Sequence, residues 1–153
     1  MTNTNKTIWH WYHNVSECYY HLQITIKYRR AVLNEKVQEA IKDSLSGIKE
    51  RYEIEISHIG FDQNHIHILL RFIPTYSGSQ VVKVIKSISG RMVFEKAPEV
   101  KKELWGGEFW SDGYYLATVS GKGDRKIIEN YIINQGRGGD VKQLKLFDIW
   151  ARA

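Results

Sequence analysis

The stretch DQNHIHILLRF at positions 62–72 decides the fold of this chain, because a polar turn leads into a strict alternation of side chains. Alternation with a period of two predicts a β-strand whose successive side chains point to opposite faces. Positions 66, 68, 70 and 72 are all apolar, whereas His65 and His67 share the other face with Leu69 and Arg71. If the apolar row packs against helices, the two imidazoles stand side by side on the opposite surface, where they could hold a metal ion. A lone histidine on a strand is more often structural, so a metal site needs support from elsewhere in the chain.

Length and composition indicate one globular domain over residues 1–153, with residues 1–7 expected to be disordered. Cys18 is the only cysteine, which excludes an internal disulfide and a cysteine-based zinc site and fits a reducing cytoplasm. We find no segment resembling a signal peptide and no run of the roughly 20 apolar residues that a membrane helix needs. A net charge of +5 and a pI near 9.2 favour polyanionic partners such as nucleic acid.

The pattern of apolar residues predicts an alternation of strands and helices. Strands are expected over residues 19–28, 52–59 and 65–72 and in an aromatic stretch ending at 119, with helices over 34–49, 79–96 and 124–136. Asn34 and Asp124 are suited to cap the first and last of these helices. The first strand, helix and strand pair form the first half of a ferredoxin-like α+β pattern. A short amphipathic segment is expected over residues 141–150.

Basic and aromatic residues recur together in the second half of the chain. The helix over residues 79–96 carries Lys83, Lys86 and Arg91 on its outer side, which is usually a solvated face. The stretch WGGEFWSDGYY at positions 105–115 has aromatic residues that singly are best explained as core. Together with cations such as Lys122 and Arg125, they would also suit unpaired bases stacked beside a basic track.

The last predicted helix carries a second candidate constellation. Tyr131 and Gln135 are four residues apart and therefore share one helix face, and the Gly121-Lys122-Gly123 sequence before them forms a flexible joint. If one divalent ion is bound by the histidine pair and by Gln135, it keeps open positions for a phosphate oxygen. A tyrosine hydroxyl has a pKa of about 10 and needs such activation to attack a phosphodiester. The products would be a 5′-phosphotyrosine and a free 3′-OH.

These motifs resemble those of a known family, the single-tyrosine HUH transposases of the smallest bacterial and archaeal insertion sequences. The histidine, hydrophobic, histidine motif stands at residues 65–67 and the Tyr-Ile-x-x-Gln motif at residues 131–135. The sequences KYRR at 27–30 and WGGEFWSDGY at 105–114 are also similar to the family. The resemblance runs in the right order from about residue 19 to residue 136, but it does not include the aromatic start at residues 9–12 or the tail beyond 136.

The resemblance implies an α+β fold in which a ferredoxin-like or RRM-like antiparallel sheet has helices on one face, with a further C-terminal helix carrying the tyrosine. It implies a transposase that cuts and rejoins single-stranded DNA beside hairpins, with Mg²⁺ or Mn²⁺ as cofactor and in a homodimer whose active sites are shared between subunits. His65, His67 and Gln135 would be the metal ligands, Tyr131 the nucleophile, and Gly121 and Gly123 the hinge of its helix. The basic residues expected to contact DNA are Lys27, Arg29, Arg30, Lys83, Lys86, Arg91, Lys122 and Arg125.

Two alternatives remain open from the sequence. A non-enzymatic single-stranded nucleic-acid-binding module with an RRM-like sheet would use the basic and aromatic residues but gives Tyr131 and Gln135 no role. A domesticated HUH endonuclease would share the chemistry without transposing. A histidine-triad hydrolase is disfavoured, because Leu69 stands where it needs a third histidine.

Overall fold

The computed structural model describes residues 9–11, 14–16 and 18–134, except for the side chains of residues 9–11, 14 and 121–123. The expected disorder of residues 1–7 and the expected segment over 141–150 lie outside this range. The strands are β1 (Trp9–Trp11), β2 (Asn14–Ser16), β3 (Tyr19–Thr25), β4 (Ile54–Phe61), β5 (His65–Phe72) and β6 (Tyr115–Val119). The helices are α1 (Glu35–Leu45), α2 (Ile48–Tyr52), α3 (Gly78–Lys96), α4 (Pro98–Glu103) and α5 (Gly121–Ile133), and a 3-10 turn covers Lys27–Arg29.

Four of the strands form one antiparallel sheet in the order β4-β5-β3-β6, and β1 pairs with β2 in a separate ribbon. The two strands at the centre, β3 and β5, are joined through α1, α2 and β4, so neighbours in the sheet are not neighbours in the chain. This crossover order confirms the α+β, ferredoxin-like architecture expected from the sequence.

The apolar row of β5 lies in the main core. Ile66, Ile68 and Leu70 are fully buried and meet Leu22 and Ile24 of β3 on the same face of the sheet. This face is covered by α1 and α3, whose inward residues belong to the same core. These buried residues are Val37, Ala40, Ile41 and Leu45 in α1 and Val81, Val82, Ile85 and Val93 in α3.

The opposite face of the sheet is covered by α5. Leu69 of β5 and Val119 of β6 pack there against Ile128 and Ile132 of this helix in a smaller core. The tyrosine helix therefore lies on the histidine side of the sheet, as the alternation in β5 requires. Among the described residues, none of the helices combines the length and the apolar character needed to cross a bilayer.

Two expected element boundaries were wrong, at the start of α5 and at the end of the first strand. Ser120, not Asp124, is the N-cap residue of α5, so the expected glycine joint is the first turn of that helix and Asp124 lies inside it, where its charge favours the helix N-terminus. The helix over residues 79–96 does end before Pro98, as expected. Pro98 also begins the short helix α4, at a position where proline needs no hydrogen-bond partner. The first strand ends at Thr25 because Tyr28 adopts a left-handed conformation with φ 61°.

A buried hydrogen bond ties α3 to the aromatic loop before β6. The indole Nε1–H of Trp110 donates to the Ser89 hydroxyl oxygen at 2.9 Å, and the Ser89 hydroxyl donates to the Ile85 carbonyl oxygen at 2.6 Å. Both side chains are buried, so neither partner can be replaced by bulk water.

The Ser89→Ala variant should therefore leave the Trp110 N–H buried without its acceptor. We expect the free energy of unfolding to fall by about 1–3 kcal/mol in urea titrations. Ser87→Ala is the matched control, because Ser87 is exposed two residues away on the same helix. Its effect should stay within about 0.5 kcal/mol. Equal losses in the two variants would show that the buried bond contributes nothing specific.

Candidate active site

The two histidines of the HIH motif stand next to each other on β5, facing α5. Their ring centroids are 5.0 Å apart, and the rings are nearly perpendicular. His65 is partly exposed at the start of the strand, whereas His67 is only 2% exposed because α5 covers it. Gly60 of β4 lies opposite His67 and adds no side chain on that flank.

The turn before β5 fixes the ring of His65. The Asn64 side-chain oxygen lies 2.7 Å from His65 Nδ1, which makes Nδ1 the protonated nitrogen that donates to the amide oxygen. The second ring nitrogen, Nε2, therefore carries the lone pair. This nitrogen lies 3.8 Å from an oxygen of the Asp62 carboxylate. Asp62 itself closes the turn by donating its backbone N–H to the His65 carbonyl oxygen at 2.9 Å.

A third histidine, from the neighbouring strand, fixes the ring of His67. His21 Nε2 lies 2.7 Å from His67 Nδ1, and both residues are buried. The rings are 25° from parallel with centroids 4.9 Å apart, so they meet nitrogen to nitrogen at their edges. The pairing of β3 with β5 produces this contact: His21 is opposite Leu69, and His67 is its diagonal neighbour on the same face.

The two histidines are thus held in the same way, each through Nδ1. His67 Nε2 is buried and has no hydrogen-bond partner among the residues that the structure describes. A buried ring nitrogen without a partner is costly unless a ligand completes it. Histidines that bind metals characteristically engage their other ring nitrogen in this way. The donor set therefore fits a metal ion bound by the Nε2 atoms of His65 and His67.

Burial also keeps these rings in the neutral form that binds metal. Burial lowers the pKa of His67 to about 2, with smaller contributions from neighbouring His21 and His65, and lowers the pKa of His21 to about 4. The pKa of His65 is also lowered by burial, which the nearby Asp62 carboxylate partly opposes. All three imidazoles are consequently neutral at physiological pH.

Tyr131 of α5 contacts His67 of this pair. Its ring meets the His67 ring edge to face, with centroids 5.3 Å apart and planes 86° from parallel. The side chain is partly exposed and packs against the smaller core around Leu69. Burial, with a smaller contribution from Asp62, raises the pKa of the Tyr131 phenol above its ordinary value. The hydroxyl is therefore protonated at neutral pH and needs outside help to act as a nucleophile.

The expected third ligand, Gln135, lies just outside the described residues, and α5 ends at Ile133 with Asn134 as its C-cap. The described residues contain no group of three or more His, Cys, Asp or Glu side chains arranged to hold a metal ion. A third protein ligand would therefore have to be of another residue type or come from outside the described part of the chain.

The basic residues predicted to contact DNA fall into separate groups. Lys27, Arg29 and Arg30 form the turn after β3, next to the His65 end of β5, because the Ile26 N–H donates to the Asn64 carbonyl oxygen at 2.8 Å. Arg125 of α5 lies over the Tyr19 ring at 4.7 Å from its centroid. The side chain of Lys122 is not described.

Three other predicted DNA contacts lie in a groove between α3 and the loop before β6, across the sheet from the histidines. Lys83 and Arg91 are exposed there. The Lys86 ammonium donates to the carbonyl oxygens of Ser111 and Gly113 at 2.8 and 2.6 Å, so this lysine holds the loop. A role of this groove in binding DNA stays a prediction.

Sequence reasoning missed His21 altogether. Its only local signal is its position in β3, where it shares a face with Gln23 and Thr25. That this face lies on the same side of the sheet as His65 and His67 follows only from the register of β3 with β5. Asn64 belongs to the polar turn that the sequence predicts before β5, and its contact with His65 shows that it also orients the ring.

Several known proteins are similar to this chain. The family model described as "Transposase IS200 like" matches residues 14–135. The ISDra2 transposase TnpA of Deinococcus radiodurans is 35% identical over 116 residues, covering 76% of this chain and 82% of the relative. The transposase for insertion sequence element IS200 of Salmonella typhimurium is 32% identical over 123 residues, covering 80% of each chain.

Solved structures give the same result. A transposase structure from Deinococcus radiodurans R1 superposes with a TM-score of 0.66 at 32% identity, covering 83% of this chain and 97% of that one. A REP-associated tyrosine transposase bound to a REP hairpin shares the fold, with a TM-score of 0.58 at 12% identity and coverage of 82% and 70%.

The matched region includes the histidine pair, Tyr131 and the strands and helix that bring them together. The matching family consists of HUH enzymes that generally depend on a metal ion. The alternative of a purely binding module is therefore wrong. The chain belongs to the IS200-like, single-tyrosine HUH transposases, which cut DNA strands and transfer them.

Proposed function

We propose that this transposase cuts and rejoins single-stranded DNA beside hairpins at the ends of an insertion sequence, through a covalent 5′-phosphotyrosine at Tyr131. The contact between the Tyr131 and His67 rings, 5.3 Å apart, carries the proposal because it joins the candidate nucleophile to the candidate metal ligands. A REP-associated transposase of the same fold is bound to a hairpin, which supports hairpin DNA as the substrate class. The DNA of a prokaryotic cell lies in its cytoplasm, and we place the activity there.

We assign Mg²⁺ or Mn²⁺ to the Nε2 atoms of His65 and His67 and to the side-chain oxygen of Gln135. When bound, the ion would neutralise a non-bridging phosphate oxygen and stabilise charge on the departing 3′ oxygen. Asn64 and His21 act through the ligands, because each contacts the Nδ1 of one histidine at 2.7 Å and so fixes the position of its ring. In the metal-bound form, His67 would donate its Nδ1–H to His21 Nε2 and keep its Nε2 lone pair for the ion.

Tyr131 supplies the nucleophilic oxygen. Its Oη forms a bond to phosphorus and gives its proton to water, while the bond from phosphorus to the 3′ oxygen breaks. The 3′ oxygen takes up a proton from water and leaves as a 3′-OH. Rejoining reverses the step: a 3′-OH attacks the phosphotyrosine, and the Tyr131 oxygen departs and regains a proton. The covalent bond to Tyr131 conserves the energy of the broken phosphodiester, so no nucleotide cofactor is needed.

We further propose a homodimer in which α5 moves between the histidines of its own chain and those of a second copy. The helix begins with Gly121 and Gly123, and each glycine weakens a helix by about 1 kcal/mol relative to alanine, so this turn can open as a hinge. The outer side of α5 exposes Ile127 and Ile133 by 44% and 54%, which offers apolar surface to a second copy.

The Tyr131→Phe variant tests the nucleophile. Wild-type protein incubated with Mg²⁺ and 3′-end-labelled hairpin DNA should give a labelled protein band on a denaturing gel, because the 5′ phosphate of the released fragment stays bound to tyrosine. Tyr131→Phe should give none while still binding DNA, since only the hydroxyl is removed. Tyr114→Phe, a matched change at an exposed tyrosine outside the site, should keep the adduct. A labelled band that persisted in Tyr131→Phe would assign the chemistry to another residue.

The proposed role of His21 can be tested by metal affinity without DNA. Mn²⁺ binding followed by electron paramagnetic resonance should weaken about 10- to 100-fold in His21→Ala, because the ring of His67 loses its partner. His21→Gln, whose amide can reach the same position, should recover most of the affinity. His58→Ala removes a histidine on the adjacent strand β4. It is the control and should bind Mn²⁺ with the affinity of the wild type. Unchanged affinity in His21→Ala would remove the positioning role.

Mixing two inactive variants tests whether active sites are shared between chains. His65→Ala keeps the tyrosine and Tyr131→Phe keeps the histidines, so a mixed dimer holds one intact site only if α5 can reach the other copy. We expect adduct formation to return to a measurable fraction of wild type in the mixture and to be absent from each variant alone. A mixture that remains inactive, or a protein that sediments as a monomer at micromolar concentration, would contradict sharing.

A further inference from the structure

Two aromatic side chains far apart in the sequence form an exposed pair on the surface. Tyr28, in the turn after β3, is 55% exposed, and Trp105, after α4, is 73% exposed. Their ring centroids are 5.3 Å apart with planes tilted by 59°. We refer to the rings of Tyr28 and Trp105 as the aromatic platform. Large aromatic residues are normally buried for their apolar area, so a contacting pair left in solvent indicates a binding surface.

The backbone on both sides holds these rings outward. Tyr28 has φ 61° and Trp105 has φ 53°, a left-handed conformation that is uncommon for bulky residues. Backbone hydrogen bonds hold each turn: the Lys27 N–H donates to the carbonyl oxygen of buried Phe109 at 2.9 Å, and the Gly106 N–H donates to the Lys101 carbonyl oxygen of α4 at 2.8 Å. Such backbone conformations persist where surrounding structure enforces them and are concentrated at functional sites.

The platform is surrounded by positive charge. The Arg30 guanidinium lies 5.7 Å from the centroid of the Trp105 ring, and the Lys27 ammonium lies 5.6 Å from that of Tyr28. Arg29 is exposed beside them, and Glu108 pairs with Lys27 at 3.4 Å. Cations beside open aromatic faces match a chain of bases and phosphates better than an apolar protein segment.

The platform also lies at the end of the sheet that carries the candidate active site. Thr25 pairs with His65, and the Ile26 N–H donates to the carbonyl oxygen of Asn64, the residue directly before His65. Tyr28 follows two residues later, within about 7 Å of Ile26 along the chain. A DNA strand that places a phosphate at His65 therefore has the platform within reach of its next few nucleotides.

We propose that the aromatic platform stacks an unpaired nucleobase of the DNA strand close to the phosphate that is cut. The site would take any base, because every base offers a flat aromatic face, while Lys27, Arg29 and Arg30 attract the adjoining phosphates. This inference rests on the proposed function, since it assumes that single-stranded DNA reaches His65. It adds a binding site for a base next to the site of strand cleavage.

A thermodynamic cycle with abasic DNA tests the platform. The probe is a fluorescein-labelled single-stranded oligonucleotide next to one hairpin, made as a series in which one unpaired nucleotide at a time is replaced by an abasic spacer. Fluorescence anisotropy gives the dissociation constant in the presence of EDTA, so that no cleavage occurs. In the wild type we expect one abasic position, or two neighbouring ones, to weaken binding about five- to a hundredfold.

Protein variants then show which side chain contacts the base whose removal weakens binding. Trp105→Ala should weaken binding of the intact probe by a similar factor and should no longer respond to the abasic position, because the same contact is removed twice. Trp105→Phe should keep most of the affinity and the response. Arg30→Gln should weaken all probes about equally and lower the salt dependence, while leaving the abasic profile in place. Since Trp105 is exposed, its loss should leave the melting temperature unchanged, which excludes unfolding as the cause.

Each other outcome has a defined meaning. An abasic profile that is flat in the wild type, or one that survives in Trp105→Ala, would overturn the platform, and an intact Tyr131 adduct would then leave the proposed cleavage standing. An abasic profile that depends on position, without any Tyr131 adduct, would contradict the proposed cleavage but support the platform as a binding site for a base. If Trp105→Ala instead altered the sedimentation of DNA-free protein, the rings would belong to a contact between copies, and the platform would be overturned.

Discussion

The antiparallel pairing of β3 with β5 is the interaction on which the rest of the structure depends. Its register sends Leu22, Ile24, Ile66 and Ile68 to one face, where they form the core with α1 and α3. The same register sends the histidines to the other face. A shift by one residue would exchange the two faces and expose the core, so burial of the apolar row fixes the position of the imidazoles as well. Stability and site geometry therefore follow from one constraint.

The histidine site is organised before any ligand arrives. Asn64 and His21 contact the two Nδ1 atoms at 2.7 Å each, which leaves the two Nε2 atoms as the proposed metal ligands. Fixing these rings costs conformational freedom during folding rather than during binding or reaction. Burial lowers the histidine pKa values and also raises the pKa of Tyr131, so the imidazoles are neutral and the phenol is protonated at neutral pH.

Three turns meet at the His65 end of the sheet, and they bring polar, aromatic and basic side chains close to the histidines. One carries Asp62 and Asn64, another follows β3 with Tyr28 and its neighbouring cations, and a third presents Trp105. The hydrogen bond between Ile26 and Asn64 joins the first two directly. Lys83 and Arg91 instead lie across the sheet on α3, on a different surface from the cations beside Tyr28.

The sequence by itself determined the elements and the main chemical groups. Period-two alternation located β5 and its two faces, helical periodicity located α1 and α3, and the motifs at residues 65–67 and 131–135 named the histidines and the tyrosine. These signals are local, because each depends on residues a few positions apart. Helix starts were harder to predict: Asp124 looked like a cap, whereas Ser120 fills that position and the glycines are helical.

Only the tertiary structure decided which distant residues touch. His21 meets His67 through a diagonal across two strands that are separated by α1, α2 and β4 in the chain, and no local pattern encodes that register. Tyr28 and Trp105 meet because two turns adopt left-handed backbone angles that their residue types do not favour. Contacts of this kind arise from the balance of burial and hydrogen bonding over the whole fold, which no short stretch of sequence contains.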